Sequence, residues 1–267
     1  MTVKQSHSGV RLRPIALPVE HGGWGLLVAP ILLGLWVAPS VAGMWLSFAA
    51  LGAFLTRQPL KLVLADRQRG KRYPRTIWAE RFALLYGVVT VVSFGLAWLT
   101  TNPPFWLPLL LAAPLAAIQF HYDIRQQSRS LIAELCGTIA IASTVAALAM
   151  IGGWDWIPAF VLWFLLGLKS AGAILYVTIR LRLARGVTVS RTPAFIFHCV
   201  ALVLVLVLIW ANLVPLLVSI AFIVLLIRAM IGLLPRSLGT RTAIVGMQEL
   251  GFSLFTVAMI AIGYMAS

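Results

Sequence analysis

The sequence predicts an all-α polytopic membrane protein with about nine transmembrane helices. Three observations predict it. Of 267 residues, 61% are hydrophobic and 10% charged, whereas a soluble domain is about half apolar and a quarter charged. Mean hydropathy is +0.98. Apolar runs near the bilayer-spanning length of about 20 residues recur from end to end, without the alternation of a β-barrel strand.

Residues 1–16 (MTVKQSHSGVRLRPIA) read as a basic cytoplasmic tail with no signal-peptide core. Residues 17–267 read as a single transmembrane domain, because no polar stretch is long enough to bury a core of its own.

Nine segments are expected, in order. The first, 22–39, follows Glu20 and His21 and opens on Gly22, Gly23 and Gly25, which let a helix or ligand approach closely. The second, 41–64, carries Arg57 and Lys61 four apart and hence on one helical face. Pro59 between them is expected to kink or loosen that helix. The third, 82–101, carries no charged residue. The fourth, 104–121, ends in QFHYDIR, which brings His121, Asp123 and Arg125 to its mouth. The fifth, 131–151, holds Glu134. The sixth, 156–179, holds Lys169 two turns or more from its basic end. The seventh, 193–211, contains His198 beside Cys199. The eighth, 214–234, contains Arg228, and the ninth, 242–265, contains Glu249.

The connections alternate. APSVAG, TTNPP, GGWDW and ANLVP contain no Lys or Arg. DRQRGKRYPRTIWAER, YDIRQQSRS, RLRLARGVTVSR and PRSLGTR are basic, as is the tail. The positive-inside rule then puts the N-terminus and the basic connections in the cytoplasm and the C-terminus outside. The excess of 21 Lys+Arg over 7 Asp+Glu, net +14, is accounted for by this topology and by contact with anionic membrane lipids, not by a nucleic-acid partner.

Walker A, G-x-G-x-x-G and HExxH patterns are absent. Cys136 and Cys199 lie in apolar runs without a CxxC, which reads as two buried hydrophobes. No metal site is expected, and no motif names a cofactor or a catalytic residue. His21 and His121 each have a carboxylate neighbour, but no fixed spacing supports metal or haem ligation.

The intramembrane charges carry the functional reading, since each is costly without a partner or a task. Arg57, Lys61, Lys169 and Arg228 stand against Glu20, Glu134 and Glu249. Two readings stay open: internal salt bridges that hold the bundle, or a cytoplasm-facing cavity with surplus positive charge for an anionic ligand. Lys169 is expected to face the interior, since lipid exposure at that depth costs about 3 kcal/mol on insertion scales. Glu134 is the carboxylate nearest to it by depth. The candidate ligand-binding residues are Glu20, His21, Arg57, Lys61, Asp66, His121, Asp123, Arg125, Glu134 and Lys169.

PVEHGGWGLLVAPILLG, TRQPLK, RYPRT followed by a Trp, HYDIR and RSLIAEL together resemble the YwiC-like family of bacterial integral membrane proteins, over residues 18 to about 185. That resemblance implies the bacterial cytoplasmic membrane but no reaction. The span count and the long cytoplasmic loops are also similar to the UbiA prenyltransferase superfamily, which implies a helical ring around a lipid-accessible cavity, an isoprenoid substrate and two aspartate-rich Mg²⁺ motifs. The corresponding stretches are LVLADRQRGKR, with Asp66 alone, and KSAGAILYVTIRLRLARG, with none. One carboxylate beside Arg67, Arg69, Lys71 and Arg72 is a poor Mg²⁺ site. Three functions remain in view: a binding protein for an anionic lipidic ligand on a degenerate UbiA-like fold, an active UbiA-like transferase, and a transporter of an anionic solute or accessory protein of a respiratory complex. The halves 1–130 and 131–267 show no inverted repeat of the kind many transporters have.

Overall fold

The computed structural model describes residues 12–17, 21–102 and 104–266, with the side chains of residues 21 and 22 excepted. Among these, every regular element is helical: α1 Arg13–Ala16, α2 His21–Val37, α3 Val41–Gln68, α4 Pro74–Leu99, α5 Trp106–Ile124, α6 Leu131–Ile151, α7 Trp156–Ala184, α8 Thr192–Trp210, α9 Leu217–Gly232 and α10 Thr242–Ala266. Each helix from α2 to α10 lies over one of the expected apolar segments. Six of them (α4 to α8 and α10) are long and apolar enough to cross a membrane, and the apolar parts of α2 and α9 are shorter.

Sequence chemistry sets the boundaries. Ser40 and Ser130 are N-caps: Ser40 Oγ accepts from the Gly43 N–H at 3.0 Å and Ser130 Oγ from the Ala133 N–H at 3.2 Å. Helix α4 starts eight residues before its expected segment, at Pro74, whose missing N–H suits a first helical position. Its first two turns carry Arg75, Glu80 and Arg81, so an apolar run does not reveal them. Helix α7 likewise runs past 179 to Ala184, through Arg180 and Arg182. Helix α3 continues through the buried Pro59 as one element to Gln68. Membrane helices tolerate proline where neighbours satisfy the freed backbone. Gly70 then turns the chain with φ +63°, a conformation that costs glycine little.

Helix α6 is the central element. It packs against α5, α7 and α2, and its residues from Ala142 to Met150 are all buried. Helix α2 lies between α6 and α10, which touches α9. Helix α9 meets α8, and α8 meets α7. The neighbours α2, α6, α7, α8, α9 and α10 thus close a circuit, with the α3–α4 pair and α5 beside it. Gly34 brings α2 onto α6: a Cβ there would stand 2.6 Å from Leu148 Cβ. Outward faces are apolar, with Leu84 70%, Val91 72% and Leu99 82% exposed, as suits lipid contact.

Candidate functional site

A cavity of about 310 Å³ opens among the helix ends that the basic connections join. Its walls are the start of α2 (Gly23, Gly25, Leu26), the late part of α3 (Phe54, Arg57), the end of α5 (Gln119) with Ser128 beyond it, and the first turns of α6 (Glu134, Gly137, Thr138, Ile141). The second half of α7, from Lys169 to Leu181, and the first half of α10, from Thr242 to Ser253, complete it.

Arg57 is held from two sides. Its Nε and Nη2 donate to the Asp123 carboxylate at 2.6 and 2.9 Å, a bidentate pair that fixes the guanidinium plane. The Gln119 amide, with its oxygen toward Arg57, accepts from Nη1 and Nη2 at 3.2 and 3.1 Å. Gln119 lies directly over Gly137, where a Cβ would collide with it. Lys61, one turn further along α3, donates to Ser128 Oγ.

On the opposite wall, Lys169 is 5% exposed and donates to Ser253 Oγ at 2.6 Å. Glu249, on α10, is a carboxylate whose charge acts on Lys169, and Glu134 lines the same cavity from α6. Glu249 also accepts from Arg228 Nη1. Behind it lies a buried polar cluster. Arg228 stacks 4.1 Å above the Tyr176 ring and 5.5 Å from Phe252, and its Nη2 stands 3.3 Å from His198 Nε2. His198 Nδ1 is 2.8 Å from the Ala194 carbonyl. A carbonyl only accepts, so Nδ1 carries the proton and Nε2 accepts from Arg228. Arg180, also 5% exposed, donates to Tyr176 Oη at 2.6 Å, to the Ser237 carbonyl at 3.0 Å and to Thr240 Oγ1 at 3.2 Å.

The structure therefore gathers Arg57, Glu134 and Lys169 around one cavity, with Asp123 behind Arg57 and Lys61 behind Ser128. His121 and Arg125 are exposed and do not line it. Glu20 and the His21 side chain lie outside the described residues. Sequence reasoning left Arg180 in a cytoplasmic basic stretch and left Tyr176 out. Their spacing held the signal: Lys169, Tyr176 and Arg180 fall seven and four residues apart, on one helical face.

Asp66 sits elsewhere. Its side chain is fully buried between α3 and α4. It accepts from Arg75 at 3.2 and 2.7 Å and from Thr76 Oγ1 at 2.7 Å. Thr76 Oγ1 in turn accepts from the Tyr73 N–H at 3.0 Å. The Arg75 guanidinium holds the Asp66 carboxyl below the usual carboxylate range. Both carboxylate oxygens are thus committed to protein donors, and the matching stretch of α7 offers no carboxylate. These residues do not fit the Mg²⁺ that the UbiA resemblance implies. Among the described residues no three His, Cys, Asp or Glu stand together as a metal site.

A family profile described as YwiC-like protein matches residues 17–150. The chain belongs to the YwiC-like family. No curated protein and no solved structure matches it. The matched stretch of this YwiC-like protein supplies the α2, α3, α5 and α6 walls of the cavity. Lys169, Glu249 and Ser253 lie beyond it.

Proposed function

We propose that this YwiC-like protein is a nine-span protein of the bacterial cytoplasmic membrane that binds an anionic lipidic ligand in the cavity between α2, α3, α6, α7 and α10. The observation that carries this is Lys169. Its ammonium is buried, lines the cavity, and spends one of its three donors on Ser253. Around it the walls are largely apolar, with Leu26, Phe54, Ile141, Ile174, Val177 and Leu250. A few convergent polar groups in an apolar cleft are the usual make-up of a ligand site. This one suits an acid head with an aliphatic tail.

Orientation follows from the positive-inside rule, which sets the helix ends around the cavity at the cytoplasmic face. The architecture is read as a degenerate UbiA-like bundle, supported by the circuit of neighbouring helices and by the position of the cavity. Loss of the aspartates argues against prenyl transfer through Mg²⁺. The test is mass spectrometry of lipids that copurify with the protein and with Lys169→Met. An anionic amphiphile is expected with the wild type and depleted at least about tenfold in the variant. Equal recovery from both proteins overturns the assignment.

A further inference from the structure

We propose that the turn between α3 and α4, together with the outward face of α4, holds one anionic phospholipid at a site separate from the cavity.

The head site is an open cup lined by Arg67, Gly70, Lys71, Arg72, Thr76 and Glu80. Backbone bonds set its shape. The Gly70 N–H donates to the Arg67 carbonyl at 3.0 Å, and the Lys71 N–H to the Asp66 carbonyl at 3.3 Å. Gly70, at φ +63°, thus turns the chain so that Lys71 and Arg72 come back beside Arg67. Three cations line the cup against one carboxylate. Arg72 Nη2 donates to Glu80 at 2.7 Å and Arg67 Nη2 at 3.5 Å. Lys71 is exposed and forms no hydrogen bond or ion pair among the described residues. The excess does not depend on where the edge of the cup is drawn. From residue 66 to residue 81 the chain carries Arg67, Arg69, Lys71, Arg72, Arg75 and Arg81 against Asp66 and Glu80 alone. Guanidinium and ammonium donors of this kind hold a phosphodiester through charge-assisted hydrogen bonds.

The tail site is the apolar face of α4. Ile77, Leu84, Val88 and Val91 share the face of Glu80 and are exposed. A Cβ at Gly87 or Gly95 would meet nothing within 4 Å, which leaves shallow gaps that an acyl chain can fill. Helix α4 packs chiefly on α3, and its apolar stretch is 11% buried, the smallest share among the six membrane-length helices. From Glu80 to Val91 it climbs about 16 Å at 1.5 Å per residue, half of the roughly 30 Å hydrocarbon core. One leaflet-deep chain therefore fits along it. The Arg81 guanidinium lies 5.0 Å over the Trp78 ring, and tryptophan marks the headgroup level, so the cup stands at phosphate depth. A free phosphate gains little from exposed cations that salt screens. A phospholipid already carries its phosphate at this depth, where each Lys or Arg adds to the attraction, and its chains cover apolar surface that α3 leaves open.

The experiment is native mass spectrometry of the full chain in detergent, titrated with phosphatidylglycerol and with phosphatidylcholine. It is run in the Lys169→Met background, so that a lipid held in the cavity does not mask this site. The first phosphatidylglycerol is expected to bind at least about tenfold more tightly than the first phosphatidylcholine. Arg67→Gln/Lys71→Gln/Arg72→Gln is expected to abolish that preference. Arg182→Gln/Arg185→Gln/Arg236→Gln, which removes three exposed charges from other connections, is expected to keep it. Should the first triple variant fail to fold, Lys71→Gln alone should weaken phosphatidylglycerol about fivefold. Glycerol 3-phosphate, the head without chains, should not displace the lipid at constant ionic strength. The proposal is overturned if phosphatidylglycerol binds no more tightly than phosphatidylcholine, or if the α3–α4 variant keeps the preference. It is equally overturned if the control variant loses the preference as fully, which marks a general charge effect, or if glycerol 3-phosphate displaces the lipid, which marks a soluble-anion site. A preference present in the wild type and absent in Lys169→Met belongs to the cavity, and the α3–α4 site then falls while the cavity reading stands.

Discussion

Arg57 on α3 and Asp123 on α5 form a two-bond ion pair across helices that otherwise touch little, with N–O distances of 2.6 and 2.9 Å. The aspartate is 3% exposed and the arginine 34%. Asp123 therefore has no alternative partner in water, while Arg57 does. The pair works as a clasp: it joins α3 to α5 at the cavity and removes Arg57 from the free cations there.

Replacing Asp123 with Asn should thus loosen the cavity wall. The partly exposed arginine keeps some solvation, so the cost is expected near 1–2 kcal/mol, below that of a fully buried pair. Thermal unfolding of the purified protein measures it. The double variant Arg57→Met/Asp123→Asn should recover part of the loss, because no charge is then left unpaired. A double variant as unstable as the sum of the two singles would show that the pair is not coupled.

Asp66 supplies a pH dependence. Its folded pKa lies below the ordinary 3.8 because of the Arg75 hydrogen bond. A depressed carboxyl pKa stabilises the fold at pH values above the unfolded pKa, and the gain is lost as pH falls through the folded value. Arg75 is 43% exposed, so the contribution is expected at about 1 kcal/mol. Acidification below about pH 4 should lower the unfolding temperature of the wild type. Asp66→Asn should start lower at neutral pH and fall less steeply. Parallel pH profiles for the two proteins would rule out this role.

The helices were legible because apolar runs mark them directly. Their polar extensions were not: the start of α4 at Pro74 and the end of α7 at Ala184 carry arginines that read as loop. The interior position of Lys169 was legible from the cost of exposing a charge in lipid. Its acidic neighbour was not. Glu134 and Glu249 stand on different helices, α6 and α10, and depth says nothing of which helix stands next to α7. That order depends on packing, such as α2 inserting between α6 and α10.

Topology is checked by labelling. In a Cys136→Ala/Cys199→Ala background, single cysteines at Asn102 and Ala211 should react with an impermeant maleimide from outside the cell. Cysteines at Gln68 and Gln127 should react only after the membrane is opened. All four positions are exposed and sit beside helix ends, and Gly153 is avoided because its φ of +92° penalises a side chain. Mixed accessibility within either pair would sink the nine-span arrangement.

The Arg228–Glu249 pair gives an asymmetric prediction. Glu249 is shared: it accepts from Arg228, and its charge acts on Lys169 and Arg180 as well. Glu249→Gln leaves those three buried cations without this carboxylate, and uncompensated buried charge costs about 3 kcal/mol or more. Arg228→Met leaves Glu249 still facing Lys169. It also removes the Arg228 Nε, which is buried without a hydrogen-bond partner and whose desolvation the wild type already bears. The methionine remains against Tyr176 and Phe252, where an aliphatic sulfur chain packs well on aromatic rings. Arg228→Met should therefore cost about 1–2 kcal/mol, clearly less than Glu249→Gln, and the double variant should be more stable than the two losses added. Unfolding midpoints of the four proteins, taken in one detergent, give the cycle. If Arg228→Met is the more damaging of the two, Glu249 does not serve all three cations.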